Sequence, residues 1–102
     1  MVASLFEKYL NIREHYMHPL YRAAHADAIA NADEKGVEDS IYEGYVIGYE
    51  KGYIETTFKL AIGNIKSQLK EDVLELANIE KYYELRREDV LYLLKQILNN
   101  NL

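Results

Sequence analysis

Cysteine is absent from the 102-residue chain, and proline occurs once. Without cysteine the chain forms neither a disulfide nor a thiolate metal site. With one proline and five glycines, three of them inside one short repeat, turn signals are scarce. That scarcity, beside abundant Leu, Ala, Glu, Lys and Ile, argues for a few long helices rather than a sheet. No apolar run approaches the length of about 18 residues that a transmembrane helix needs. The opening Met1-Val2-Ala3-Ser4-Leu5-Phe6-Glu7-Lys8 lacks the basic and apolar regions of a signal peptide. The expectation is a cytoplasmic chain with no membrane contact.

Hydrophobic residues make up 49% and charged residues 28% of the sequence, so the chain has the apolar content to fold. Its length suits one small domain, spanning residues 1–102, with no linker dividing it. The net charge of −5 is unevenly placed. Residues 33–55 hold the acids Asp33, Glu34, Glu38, Asp39, Glu43, Glu50 and Glu55 against only Lys35 and Lys51, and the remainder is neutral. An acidic face repels phosphate, which disfavours direct nucleic-acid binding.

The most distinctive stretch lies inside that acidic region. Residues 43–54 repeat a four-residue x-Gly-Tyr-x unit, with Gly44, Gly48 and Gly52 each followed by Tyr45, Tyr49 and Tyr53. A period of four is close to the helical 3.6, so glycines and tyrosines form two adjacent rows along one helix. Each interior glycine costs about 1 kcal/mol relative to alanine, roughly 3 kcal/mol for the three. Close approach of a second helix to a bare backbone would offset that cost. Glu50 and Lys51 interrupt the stretch, so it is not a membrane dimerisation helix.

In chain order, apolar spacing predicts a helix over 4–17, broken near residues 18–19 by Pro19, which fits a first helical position. A second, Ala-rich helix follows over about 20–32, with Gly36 as a left-handed cap. Ser40-Ile41-Tyr42-Glu43 matches a capping box that starts the Gly/Tyr helix. The spacing of Phe58, Ile62, Ile65, Leu69, Val73 and Leu76 favours a long helix with a weak point at Gly63. The alternative is a separate short helix starting at Lys70-Glu71-Asp72. Glu80-Lys81-Tyr82-Tyr83 reads as a link, and a last amphipathic helix runs from Leu85 or Arg86 to the Asn99-Asn100-Asn101 stop.

Chemical signatures are few. His15, His18 and His25 invite a metal site, but Pro19 breaks the helix between them and no His-Glu-x-x-His pattern is present. They read better as surface or boundary histidines. Asp33-Glu34-Lys35 matches only half of a nuclease Asp-x-Lys motif and lacks its sheet. No nucleophile elbow, phosphate loop or Ser/His/Asp arrangement appears. The pairs Glu71/Asp72 and Glu88/Asp89 fit helix-starting charge. For the tyrosines two readings stand side by side. They line a monomer core with hydroxyls at its rim, or they form a protein–protein surface.

The run Glu43-Gly44, Gly48, Gly52, then Glu71-Asp72-Val73-Leu74, then Glu88-Asp89-Val90-Leu91, resembles the C-terminal region of the Rpn family of recombination-promoting nucleases (putative transposases). It covers residues 33–98 without the upstream nuclease domain. Glu80-Lys81-Tyr82-Tyr83-Glu84-Leu85 stands where that family has Thr-Gly-Leu-Ser. The resemblance implies an antitoxin-like or oligomerisation segment that self-associates and inhibits the nuclease.

The expectation is therefore an all-α domain of about four helices with one long central helix, forming a helical homodimer. Its interaction residues are Gly44, Tyr45, Gly48, Tyr49, Gly52 and Tyr53, with Glu38, Asp39 and Glu43 lending selectivity. The expected role is a non-enzymatic interaction module, without cofactor or metal, that inhibits or assembles a partner nuclease. The alternative is a small acidic inhibitor that mimics nucleic acid to block a basic nucleic-acid-binding protein. A metal-dependent enzyme using the histidines comes third.

Overall fold

A computed structural model describes residues 17–100. The helix expected over 4–17 lies outside them, apart from Met17, which stands in a turn. Among the described residues the chain is all-α, with four helices: α1 (Pro19–Lys35), α2 (Asp39–Lys70), α3 (Leu76–Tyr83) and α4 (Arg87–Leu98). At about 1.5 Å per residue, α2 spans roughly 48 Å, which matches the molecule's longest dimension of 48 Å. No described helix is long and apolar enough to cross a membrane.

Pro19 opens α1, as its fixed φ and missing N–H allow. Gly36 closes it in the left-handed region at φ 65°, its amide and that of Val37 returning to the carbonyls of Asp33 and Ala32. That pair of bonds is the Schellman arrangement. The chain then turns back through Val37 and Glu38 into α2, which packs antiparallel on α1.

The seam between them is small on one side and large on the other. α1 buries Leu20, Ala24, Ala28 and Ala32, one per turn. α2 answers with Val46, Glu50, Ile54, Phe58, Ala61, Ile62 and Ile65. Three fully buried alanines let the backbones approach, so α1 supplies the close contact expected of the α2 glycines.

α2 runs unbroken through Gly63, but it stops at Lys70 instead of carrying the register on to Leu76. Asp72 takes the left-handed conformation at φ 58°, and the amides of Asp72 and Val73 bond the carbonyls of Leu69 and Gln68. Glu84 does the same after α3, at φ 56°, with Leu85 bonding back to Glu80. Two side-chain-bearing residues thus do what Gly36 does, at a cost of roughly 1–2 kcal/mol each.

Three expectations about helix ends are corrected here. Glu71 and Asp72 end a helix rather than start one. Glu80-Lys81-Tyr82-Tyr83 is the last turn of α3 rather than a link. No capping box forms at Ser40, because α2 begins at Asp39 with Glu38 as its cap residue, which leaves Ser40 inside the first turn.

The main core gathers Leu20 and Ala24 of α1, Ile54 to Ile65 of α2, Ile79 of α3, Leu85, and Val90 and Leu93 of α4. A smaller cluster joins Ala28, Ala32 and Val46, flanked by Ile29, Val37 and three tyrosines. The α1–α2 hairpin therefore extends past the four-helix core as an arm with its own apolar seam. Replacing Ala28 by Leu overfills that seam and is expected to cost about 1–3 kcal/mol in urea unfolding. An unchanged midpoint would show that the helices are not in close contact there.

Candidate interaction surface

The two rows of the x-Gly-Tyr-x repeat point to different surroundings. The tyrosines turn towards α1. The hydroxyl of Tyr42 donates to Asp33 Oδ1 at 3.0 Å, that of Tyr45 to Asn31 Oδ1 and that of Tyr49 to Asp27 Oδ2. The partner number falls from 33 to 27 as the tyrosine number climbs from 42 to 49, the signature of an antiparallel pair locked in one register. The rings of Tyr45 and Tyr49 lie 6.4 Å apart and pack on the smaller apolar cluster. Tyr53 packs on the main core. The tyrosines are thus half-buried, and those at 42, 45 and 49 bond α1 through hydroxyls at the rim of the seam.

The glycines do not. Gly44, Gly48 and Gly52 are exposed, and a Cβ added at any of them meets no atom within 4 Å. No described helix approaches the glycine row. Next to it, Gly48, Gly52, Thr56 and Leu60, with Tyr49 and Tyr53 as one rim, line an open groove of about 590 Å³. Leu60 and Ile41 each leave 59% of their surface exposed on α2. Glu38, Asp39 and Glu43 are exposed around the hairpin turn.

Sequence reasoning missed the burial of three ionisable groups, His18, Glu50 and Asp89. His18 is 4% exposed rather than a surface or boundary histidine. Its Nδ1 accepts the Leu20 amide at 3.1 Å, capping α1, and its Nε2 donates to Asp89 Oδ2 at 2.8 Å. The same carboxylate accepts the Arg86 amide at 2.9 Å, capping α4. Both ring nitrogens are occupied, so the imidazole has no nitrogen left for proton transfer to a substrate. It is a structural tie between two helix starts.

Glu50 is 2% exposed and sits one turn from Val46 and one from Ile54, in the middle of the buried row. Its partner among the described residues is His25, whose Nδ1 lies 2.8 Å from Oε2. A carboxylate accepts only, so Nδ1 carries the proton and Nε2 is directed away from the pair. The ring is about half exposed and stacks on Tyr21 at 5.7 Å. A carboxylate-oriented histidine is a form used by bases and metal ligands. However, neither groove described for the chain includes His25. Among the described residues no group of three or more His, Asp or Glu could hold a metal ion; His15 lies outside them.

A second groove of about 540 Å³ lies between α2 and α3, lined by Asn64, Gln68, Asn78, Ile79, Lys81 and Tyr82. Its amides are already engaged. Asn64 donates to the Tyr83 hydroxyl, Gln68 bridges Asn64 and the Glu75 amide, and Asn78 donates to Glu75. The network fastens α3 to α2.

Two expectations follow from these groups. His25→Ala strands a buried carboxylate and should lower unfolding stability by about 1–3 kcal/mol. Glu50→Leu joins the two apolar clusters and should cost far less or stabilise. A larger loss for Glu50→Leu than for His25→Ala would refute that ordering. The second concerns alkaline pH. The phenol of Tyr42 is held above its usual 10.0 by partial withdrawal from water and then by Asp33. That of Tyr49 is raised first by its bond to Asp27. The neutral phenol favours the fold, so this stabilisation is complete below pH 10 and fades as pH climbs through the raised folded values. The double variant Tyr42→Phe, Tyr49→Phe should show a shallower alkaline loss of stability than the parent chain.

Comparison with known proteins finds no matching family model, curated protein or solved structure.

Proposed function

We propose that the chain is a non-enzymatic interaction module that self-associates through the outer face of α2 and holds or inhibits a protein partner. One observation carries this. Three interior glycines cost α2 roughly 3 kcal/mol, and nothing among the described residues uses the space they open. A row kept bare for α1 would be covered by α1, whereas this one faces away from it. Glycines spaced by four let a second backbone come close, and the half-exposed rings of Tyr49 and Tyr53 add amphipathic contact area beside them. The nature of the partner, a nuclease of the Rpn type, rests on the sequence resemblance and belongs to the same proposal.

The acidic hairpin turn supports a second reading. Glu34, Glu38, Asp39 and Glu43 are exposed at one end of the α1–α2 hairpin with Lys35 as the neighbouring base. Such an end could engage a basic protein in place of nucleic acid.

Sedimentation separates the two. The parent chain should sediment as a concentration-dependent dimer, and Gly48→Leu should shift it at least tenfold towards monomer. The open Cβ position means that this variant still folds, which circular dichroism would verify. A monomeric parent, or an unshifted Gly48→Leu, sinks self-association through this face. Partner binding that is lost on neutralising Glu38, Asp39 and Glu43, and weakened by salt, would favour the acidic mimic instead.

A further inference from the structure

The α1–α2 seam has two edges, and the tyrosines occupy only one of them. Along α1, Asp27 precedes the buried Ala28 by one residue, whereas His25 follows the buried Ala24 by one. A step of one residue turns a helix by about 100°, so these two side chains leave α1 on opposite sides of the buried row. Likewise Tyr49 precedes the buried Glu50 on α2, and Lys51 follows it. Asp27 and Tyr49 bond each other on the first edge, which places His25 and Lys51 on the second. Arg22 stands one turn before His25 on α1. Arg22 and Lys51 are exposed, and neither forms an ion pair with another described residue. Lys51 is also one of only two bases in the acidic stretch 33–55, and it is the one beside the histidine.

Glu50 fixes how the imidazole presents itself. Nδ1 carries its proton towards Oε2 at 2.8 Å, so in the neutral ring the lone pair is on Nε2. No described residue occupies Nε2, and 47% of the side chain is exposed. Tyr21 stacks on the ring at 5.7 Å and holds its plane. The result is an oriented nucleophile directed away from the seam. A general base would also need a pocket for its substrate, and His25 lines neither described groove. A metal would need further ligands, and no group of three exists among the described residues. A phosphoryl acceptor needs neither, because a donor protein's own site closes over a side chain offered on an open helix surface. It needs a free nitrogen, a carboxylate behind the ring to balance charge, and cations for the incoming oxygens. His25, Glu50, Arg22 and Lys51 supply all three.

We infer that His25 Nε2 accepts a phosphoryl group from an acyl phosphate on a partner protein. The Nε2 lone pair forms the N–P bond while the P–O bond to the donor's carboxyl group breaks, and that carboxylate leaves with the electron pair. No proton is transferred. The Nδ1 proton stays on its bond to Glu50, whose negative charge balances the positive charge the ring acquires. Arg22 and Lys51 then flank the phosphoryl oxygens. Glu50 thereby has a use that packing does not give it, since an apolar residue in that buried row would serve stability as well or better. Transfer to His25 requires no second copy of the chain, so it stands or falls separately from self-association.

Potassium phosphoramidate, which phosphorylates histidine nitrogens with loss of ammonia, is the first probe. The parent chain should gain one acid-labile phosphoryl group by intact mass. Peptide fragmentation should place it on His25, and phosphorus NMR should place it on Nε2. His18, with both nitrogens engaged, should stay unmodified. No uptake, uptake on Nδ1, or uptake at His15 as fast as at His25 overturns the proposal. Glu50→Leu, which keeps the buried row apolar, should slow uptake at His25 by roughly 10–100-fold. An unchanged rate in that variant would show that the carboxylate does not prepare the ring. The double variant Arg22→Ala, Lys51→Ala should also slow uptake while its urea midpoint stays at the parent's, since both side chains are exposed. A parental rate there refutes their part in holding the phosphoryl group. Acetyl phosphate, the smallest donor of the proposed class, should give the same adduct, and failure with it while phosphoramidate succeeds overturns the acyl phosphate as donor.

Discussion

Everything in this molecule hangs on the antiparallel seam between α1 and α2. α3 has only eight residues and α4 twelve, short enough that neither is stable alone in water. Both are held by what they bury against the C-terminal half of α2, and α2 is in turn braced along its N-terminal half only by α1 among the described residues. The seam works because α1 is narrow where α2 is bulky. Ala24, Ala28 and Ala32 contribute little apolar area themselves, but they let Val46, Ile54 and Phe58 reach a backbone rather than a layer of side chains. Fully burying residues of that size is worth about 1.5–3 kcal/mol each.

The seam is not uniformly apolar. Glu50 stands in the buried row where a leucine would have fused the two clusters, and His25 reaches in from the boundary to meet it. Replacing a buried pair of this kind by apolar residues is often neutral or better for stability, so its worth is not in raw stabilisation. With alanines repeating every turn on α1, a slip by one turn would keep small residues facing large ones. It would also separate His25 from Glu50 and displace every tyrosine from its partner on α1. The polar bonds along the edges of the seam thus decide a register that the alanines alone leave degenerate. At the other end of α1, His18 and Asp89 do a comparable job, joining the starts of α1 and α4 through one shared carboxylate.

Much of the fold is legible in the sequence because its signals are local. Pro19 and Gly36 bound α1 through their own backbone preferences. The apolar spacing across Gly63 outweighs the roughly 1 kcal/mol that a single glycine costs, so α2 continues. The misplaced helix ends share one cause. Asp72 and Glu84 end their helices in the left-handed region, where glycine or asparagine is the residue a reader looks for. What places them there is the tertiary fit of Leu76, Ile79 and Leu85 into the core, and no four-residue window contains that information. The burial of His18 was equally hidden, since its partner lies 71 residues away.

The same distinction between local and distant signals applies to the glycine repeat. Period alone places glycines and tyrosines in adjacent rows, about 100° apart around the helix, but it does not say which row meets α1. The tyrosine row lies on the side where Asp27, Asn31 and Asp33 offer acceptors, and that rotates the glycine row out of the seam. Had the glycines faced α1, its alanines would have met bare backbone on both sides, with little side chain left to fill the seam. A glycine row opposite an alanine row gives too little area to hold a two-helix arm together. The arm is stable because its small residues lie on α1 and its large ones on α2, and the glycines can stay bare only because they are not needed there. Their position on the far face is therefore a consequence of how the arm packs, and it leaves them for a contact outside it.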